Sequence, residues 1–262
     1  MNDAALAPAT RSARSSARGS RGGDLRVDHQ PGFVLHATPW RETSLIVEVL
    51  TRDFGRLALV ARGAKRPTSQ FRGVLAPFAP VALAWSGRND IKTLIRAEWV
   101  GGLTPLRGDG LLAAFYMNEL LVRLLARGDP HDALFGAYAH ALHALAGGEG
   151  ALDEALRGFE LDLLREIGWL PPLAHTCDGA PIAAAASYRV DPERGPMPVN
   201  GRAEDGETLV VRGAALQALA SRDWSDASVA TECRRLLRAL IAFRLGGRPL
   251  NTRRILADLK KL

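Results

Sequence analysis

Apolar residues recur along this chain with two different periods, and the period changes near residue 105. From Gly32 the pattern repeats every second residue, with Phe33, Leu35 and Ala37 alternating with Val34, His36 and Thr38. Ser44 to Leu50 is rich in branched residues (Ile46, Val47, Val49), and Arg56 to Ala61 carries Leu57, Leu59 and Val60. Asp53-Phe54-Gly55 lies between these two runs as a short turn, so they read as a hairpin. Val81 to Trp85 and Ile91 to Val100, parted by Gly87-Arg88-Asn89-Asp90, predict two further strands. Five short strands in about 70 residues predict a small closed barrel, for which an OB-fold is the leading example.

Beyond Pro105 the spacing becomes helical. Leu112, Tyr116, Leu120 and Leu124 recur every four residues, and Phe115, Leu121 and Leu125 widen the apolar face. Asp129-Pro130 breaks that helix. A second runs through Leu134, Tyr138, Leu142 and Leu145 to Gly147-Gly148, and a third through Leu152, Leu156, Phe159, Leu163 and Ile167 to Pro171-Pro172. The segment from Leu173 to Thr208 is rich in Pro, Gly and Ala and is expected to be irregular. Helical periodicity returns at Gly213 to Ser221, Asp226 to Leu245 and Asn251 to Leu259. The expected architecture is α+β. A flexible basic tail over 1–30 precedes a five-stranded barrel over 31–105, and a mainly helical domain over 106–262 carries an irregular insertion at about 173–208.

Charge narrows the choice of partner. The formal net charge is +6 and the pI about 9.9, which favours polyanions, either nucleic acid or an anionic membrane surface. Hydrophobic residues make up 47% of the chain, enough for a sizeable core. Cys177 and Cys233 are too few for a disulfide scaffold and read as reduced thiols in a cytoplasmic protein. No run approaches the roughly 18 apolar residues of a membrane span. Arg11, Arg14, Arg18, Arg21 and Arg26 lie among Ala, Ser and Gly without an apolar segment, which excludes a secretory signal. An organelle transit peptide has a similar look, but a flexible basic tail is the simpler reading.

Ordinary catalytic chemistry is not visible. No glycine precedes a lysine, so a Walker-type phosphate loop is ruled out, and neither a Gly-x-Ser-x-Gly elbow nor a His-Glu-x-x-His pair occurs. His140 and His143 lie three apart on a helix, but nothing nearby suggests a third ligand. A tetrahedral zinc needs four ligands, and the segment after the third helix offers only His175 and Cys177. No bound metal and no cofactor are expected.

The basic side chains are concentrated. From Arg41 to Glu98 ten basic residues face five acidic ones. The densest stretch is Arg62 to Arg72, placed after a strand where a mobile loop can follow a phosphate backbone. Arg56, Arg62, Lys65, Arg66, Arg72, Arg88 and Lys92 are the candidate phosphate contacts, and Phe71, or Trp40 beside Arg41, could stack on bases. Equally, Phe71 and Trp40 could be core residues beneath a solvated loop. At the C-terminus Arg234, Arg235, Arg238, Arg244, Arg248, Arg253, Arg254, Lys260 and Lys261 oppose Asp258 alone. They fit either a second nucleic-acid track or an amphipathic helix with a solvated face.

Several of these segments carry a family pattern. Phe33-Val-Leu-His-Ala-Thr-Pro-Trp-Arg-Glu-Thr-Ser-Leu45, Gly55-Arg-Leu-Ala-Leu-Val-Ala-Arg-Gly-Ala-Lys65 and Gly73-Val-Leu-Ala-Pro-Phe78 resemble the barrel region of RecO proteins. Tyr116-Met-Asn-Glu-Leu-Leu121, Leu156-Arg-Gly-Phe-Glu-Leu161 and Leu245-Gly-Gly-Arg-Pro-Leu250 follow in the expected order, so the resemblance covers roughly residues 30 to 258. It implies an N-terminal OB-fold and a C-terminal helical domain acting in RecF-pathway recombinational repair. It further implies binding to single- and double-stranded DNA, annealing of complementary strands, partnership with RecR, and binding to the tail of the single-stranded DNA-binding protein SSB. Through these contacts RecA replaces SSB on the strand, in a cytoplasmic, nucleoid-associated setting. The SSB tail is acidic with a hydrophobic end, and Leu156, Arg157 and Phe159 match the family position for its receptor. Some members hold zinc with four cysteines where this chain has His175 and Cys177, a departure that leaves the role of that loop open.

Two other function classes remain as alternatives. A translation- or RNA-associated OB-fold module would prefer folded RNA to single-stranded DNA. A metal-dependent nuclease would need a carboxylate cluster that the sequence does not offer.

Overall fold

The computed structural model describes residues 25–147, 152–199 and 209–252. The chain opens on five strands: β1 (Arg26–Trp40), β2 (Ser44–Thr51), β3 (Gly55–Ala61), β4 (Pro80–Ser86) and β5 (Ile91–Trp99). They close a barrel in the order β1-β2-β3-β5-β4, with β4 pairing back to β1. Every pairing is antiparallel except β3 with β5, which run parallel from Ala58 opposite Ile91 to Val60 opposite Thr93. This is the OB-fold barrel.

β1 begins at Arg26, earlier than the onset expected at Pro31. Its first half pairs with β4, from Arg26 opposite Ser86 to Phe33 opposite Pro80, and its second half with β2. Residues 26–30 therefore form part of the barrel seam. The polar composition of Arg26, Asp28 and His29 hides this, because only Val27 and Gln30 turn inward. The tail over 1–24 lies outside the described residues.

Part of the barrel wall is covered on both faces, most completely along β2 and the middle of β1. Val34, Val47, Val49, Leu57, Leu59, Val81, Leu83 and Trp85 fill the interior. Phe33, Leu35, Leu50 and Phe78 point outward and join the core of the helices instead. A register shift between Val34 and His36 explains why Val34 and Ala37, of opposite parity, both face the interior.

Five helices follow: α1 (Gly108–Leu124), α2 (Asp132–Ala146), α3 (Leu152–Glu166), α4 (Gly213–Ser221) and α5 (Ala227–Arg244). Their apolar stripes meet in one core around Met117, Leu121, Leu142, Phe159, Leu163, Leu236 and Leu240. Asp226 caps α5, its carboxylate accepting from the amides of Ser228 and Val229 at 2.8 and 3.1 Å. The helix expected from Asn251 is described only at Asn251 and Thr252, and its remainder lies outside the described residues.

The segment expected to be irregular is not wholly so. It holds β6 (Ser187–Asp191) and β7 (Gly195–Pro198), which with β8 (Val210–Arg212) make an antiparallel sheet in the order β7-β6-β8. Tyr188, Val190 and Val211 plug this sheet into the helical core. The strands are three to five residues long and flanked by Pro and Gly, so the alternation is too brief to stand out.

Barrel and helices are joined by buried polar contacts as well as apolar ones. The Asn118 amide donates to the Leu35 carbonyl at 2.8 Å, and the Tyr138 hydroxyl donates to the Asn118 carbonyl oxygen at 2.5 Å. Burial pushes the Tyr138 phenol far up, so it remains a neutral donor. The second contact centres on Glu48, on β2. Its carboxylate meets Arg56 at 2.7 Å and also Arg127, while Arg56 donates from Nε and Nη2 to the Leu125 carbonyl at 3.1 and 2.9 Å. Nearby, Gly55 adopts φ +63°, and a Cβ there would stand 1.9 Å from the Asp129 carbonyl oxygen. Only glycine allows the β2–β3 turn to approach the α1–α2 connection so closely.

Candidate nucleic-acid interface

A cleft of about 580 Å³ opens on the barrel wall where the β1–β2 turn, the end of β3 and the start of β5 converge. Trp40, Arg41, Arg62, Arg66 and Ile91 line it over a floor that includes Ile46 and Val60, paired across β2 and β3. Three guanidinium groups share this cleft, and no carboxylate lines it. Such a site attracts anions, and its apolar floor admits the flat part of a nucleotide.

Local geometry builds the cleft. Trp40 pairs with Ser44 across a turn of three residues in which Arg41 takes φ +53°, a left-handed conformation uncommon for arginine. That turn brings the Arg41 guanidinium to 5.9 Å from the Trp40 ring centroid. The loop after β3 is tied to the same turn, the Lys65 amide donating to the Thr43 carbonyl at 2.9 Å. Arg62, Lys65 and Arg66 are all exposed.

The remaining expected contacts divide. Arg72 is exposed on the same loop, outside the cleft lining, and donates to the Pro67 carbonyl at 3.4 Å. Arg88 is exposed in the β4–β5 turn, and Lys92, half-buried, donates to the Asn89 carbonyl at 3.2 Å. Arg56 is different. Its side chain is 12% exposed and committed to Glu48 and the Leu125 carbonyl, so it is a strut between barrel and helices and not an open cation on the barrel surface. Phe71 is buried in the barrel core with Ala64 and Leu75, which leaves Trp40 as the exposed aromatic of the pair. Arg41, absent from the expected phosphate contacts, lines the cleft beside Trp40. Its signal in the sequence was its position beside a tryptophan in a hairpin turn.

The receptor expected at Leu156, Arg157 and Phe159 is not an open one. Arg157 is 4% exposed and lies 2.6 Å from Glu160, itself fully buried, and Glu160 also accepts from the Tyr116 hydroxyl at 2.5 Å. Leu156 is half-buried against the helical core and Phe159 lies within it. Helical periodicity places Arg157 beside two apolar residues but cannot tell whether a carboxylate one turn on draws it inward.

The C-terminal arginines are also largely engaged. Arg234 donates to Asp153, Arg235 to the Val210 carbonyl, and Arg244 to the Pro192 carbonyl while lying between Trp169 and Phe243. Arg253, Arg254, Lys260 and Lys261 fall outside the described residues.

The donors present do not fit a structural zinc. His175 and Cys177 lie in a turn closed by the backbone, the Thr176 amide donating to Ala180 and the Cys177 amide to Pro196. Among the described residues no three His, Cys, Asp or Glu side chains converge as metal ligands. No described helix is long and apolar enough to cross a membrane.

Comparison with known proteins gives the family of the chain. Residues 26–103 match the family model for the recombination protein O N terminal, and residues 106–254 that for the recombination protein O C terminal. The chain is 50% identical over 240 residues to the DNA repair protein RecO of Ralstonia nicotianae, covering 90% of this chain and 86% of the relative. It is 48% identical over 264 residues to that of Burkholderia orbicola, covering 100% and 94%. With the RecO of Aromatoleum aromaticum it shares 48% identity over 239 residues, covering 90% and 98%. With an OB-fold barrel, a helical domain behind it and both halves matched, this chain belongs to the RecO family of DNA repair proteins.

Proposed function

We propose that this protein is a recombination mediator that works without catalysis. It binds single- and double-stranded DNA, anneals complementary strands and assists loading of RecA onto SSB-coated DNA. The observation that carries this reading is the cleft lined by Arg41, Arg62, Arg66 and the exposed indole of Trp40, with no carboxylate in its lining. Annealing brings two polyanions together, so it needs charge neutralisation and no nucleotide hydrolysis. Lys65, Arg72, Arg88 and Lys92 extend the basic surface around the loop and the β4–β5 turn. Contacts to phosphates and base faces carry little sequence preference.

RecR, RecF and the acidic tail of SSB are the proposed protein partners, in a cytoplasmic, nucleoid-associated setting. Because Arg157 and Phe159 are buried, the tail receptor is not assigned to them.

The test is strand annealing of two labelled complementary oligonucleotides coated with SSB, without ATP or metal. The protein should accelerate it. Arg62→Ala with Arg66→Ala should slow it and lower the slope of log affinity against log salt by about 1.4, at about 0.7 per lost single-strand phosphate contact. An unchanged slope would remove these residues from the interface. Tighter binding to folded RNA than to single-stranded DNA would instead support an RNA-associated module.

A further inference from the structure

We infer that Trp40 is a stacking platform for an unpaired nucleobase, so that the cleft grips single strands and loosens its hold when they pair. The inference rests on the proposed DNA binding and goes beyond it, by naming the residue that separates single strand from duplex.

Trp40 is 45% exposed, whereas Trp85, also in the barrel, is wholly buried. It ends β1 in register with Ser44, so its ring stands at the rim of the cleft where apolar Ile46, Val60 and Ile91 continue the surface. Ile91 is 42% exposed, so two of the four large apolar side chains that line the cleft, Trp40 and Ile91, stand open to solvent, while Ile46 and Val60 are half-buried. Arg41, held over the indole by its left-handed turn, supplies a cation beside the same ring. Arg62 and Arg66 place two more along the wall. An exposed aromatic ring beside cations is the arrangement by which proteins hold single strands, base on ring and phosphate on guanidinium.

A duplex cannot use both parts. Its phosphates remain available to Arg62 and Arg66, but its bases are stacked on one another and their faces are covered. The contact with Trp40 is therefore made only while a strand is unpaired. Annealing removes it and leaves the duplex held by phosphate contacts alone, which favours release of the product over either reactant.

The experiment measures affinity of the full chain for three labelled ligands by fluorescence anisotropy: oligo(dT), the same strand with consecutive abasic sites, and a duplex of equal length. Trp40→Ala should weaken oligo(dT) binding about 5- to 150-fold and leave the abasic strand and duplex within about twofold. Trp40→Phe should recover much of the loss. Trp99→Ala is the control: Trp99 is 65% exposed at the other end of β5, and its loss should leave the ratio among the ligands unchanged. Arg62→Ala with Arg66→Ala should weaken all three. Equal loss on all three ligands with Trp40→Ala, or no loss on any, overturns the platform. Failure of the unaltered protein to bind any of the three overturns the DNA-binding reading itself.

Discussion

Arg157→Ala should destabilise the helical domain by about 3–5 kcal/mol, the usual loss when one member of a buried ion pair is removed. Arg157 and Glu160 lie three residues apart on α3 with 4% and 0% of their side chains exposed, and their charged atoms approach to 2.6 Å. At an effective dielectric constant near 20, that separation corresponds to an attraction of about 6 kcal/mol before desolvation is counted. Truncating Arg157 leaves the Glu160 carboxylate in the core with the Tyr116 hydroxyl as a hydrogen-bond donor but without its guanidinium. Against a domain stability of about 5–15 kcal/mol, such a loss is large. Urea denaturation followed by circular dichroism measures it directly. Replacing both partners, Arg157→Met with Glu160→Leu, should recover most of the stability, because no buried charge is then left unpaired. If Arg157→Ala costs less than about 1 kcal/mol and selectively abolishes binding of an acidic peptide carrying the SSB tail sequence, the burial argument is wrong and Arg157 is a surface cation.

Other consequences can be measured in the same way. Burial pushes the Glu119 carboxyl up, but amide donors from Thr252 and Asn251, the Thr252 hydroxyl and the Arg123 charge outweigh it and hold the group below its ordinary value. Its contribution is therefore complete above the ordinary carboxylate range and is lost as pH falls through the lowered value. Glu119→Gln should flatten that acid limb in pH-dependent denaturation and speed hydrogen exchange at Asn251 and Thr252. Glu48→Ala should cost about 2–3 kcal/mol by leaving Arg56 without its carboxylate between barrel and helices, and calorimetry should show a lower melting temperature. Gly55→Ala should cost at least about 1 kcal/mol, since φ +63° alone penalises a Cβ and the Asp129 carbonyl blocks it, as a shifted denaturation midpoint will show. A variant as stable as the unaltered protein would mean that the turn can move away from Asp129.

The strands and helices were legible because hydrophobic periodicity records which side of an element is covered. Phe33, Leu35 and Val34 announce a strand, but not that alternate residues enter two different cores, since the second core is supplied by helices a hundred residues on. The start of β1 was hidden for the opposite reason, because Arg26 and Asp28 face water and pair with each other. Charge was less legible than hydrophobicity. Arg56, Arg62 and Arg157 look alike in sequence, yet one braces the barrel against the helices, one lines an open cleft and one lies in the core. What separates them is a carboxylate brought near by folding: Glu48 for Arg56, Glu160 for Arg157, and none in the lining of the cleft that holds Arg62.

The two cysteines are chemically unequal. Cys177 is exposed in the backbone-closed turn against β7, while Cys233 is buried on α5, where burial raises its thiol to about 11. A thiol reacts as its thiolate, so near neutral pH an electrophilic dye should modify Cys177 and spare Cys233. The unaltered sequence thus carries a single attachment point on the helical half. A dye placed there, paired with one on an oligonucleotide, can report how far a bound strand lies from that turn, and whether the distance changes as annealing proceeds, without engineering a cysteine into the barrel.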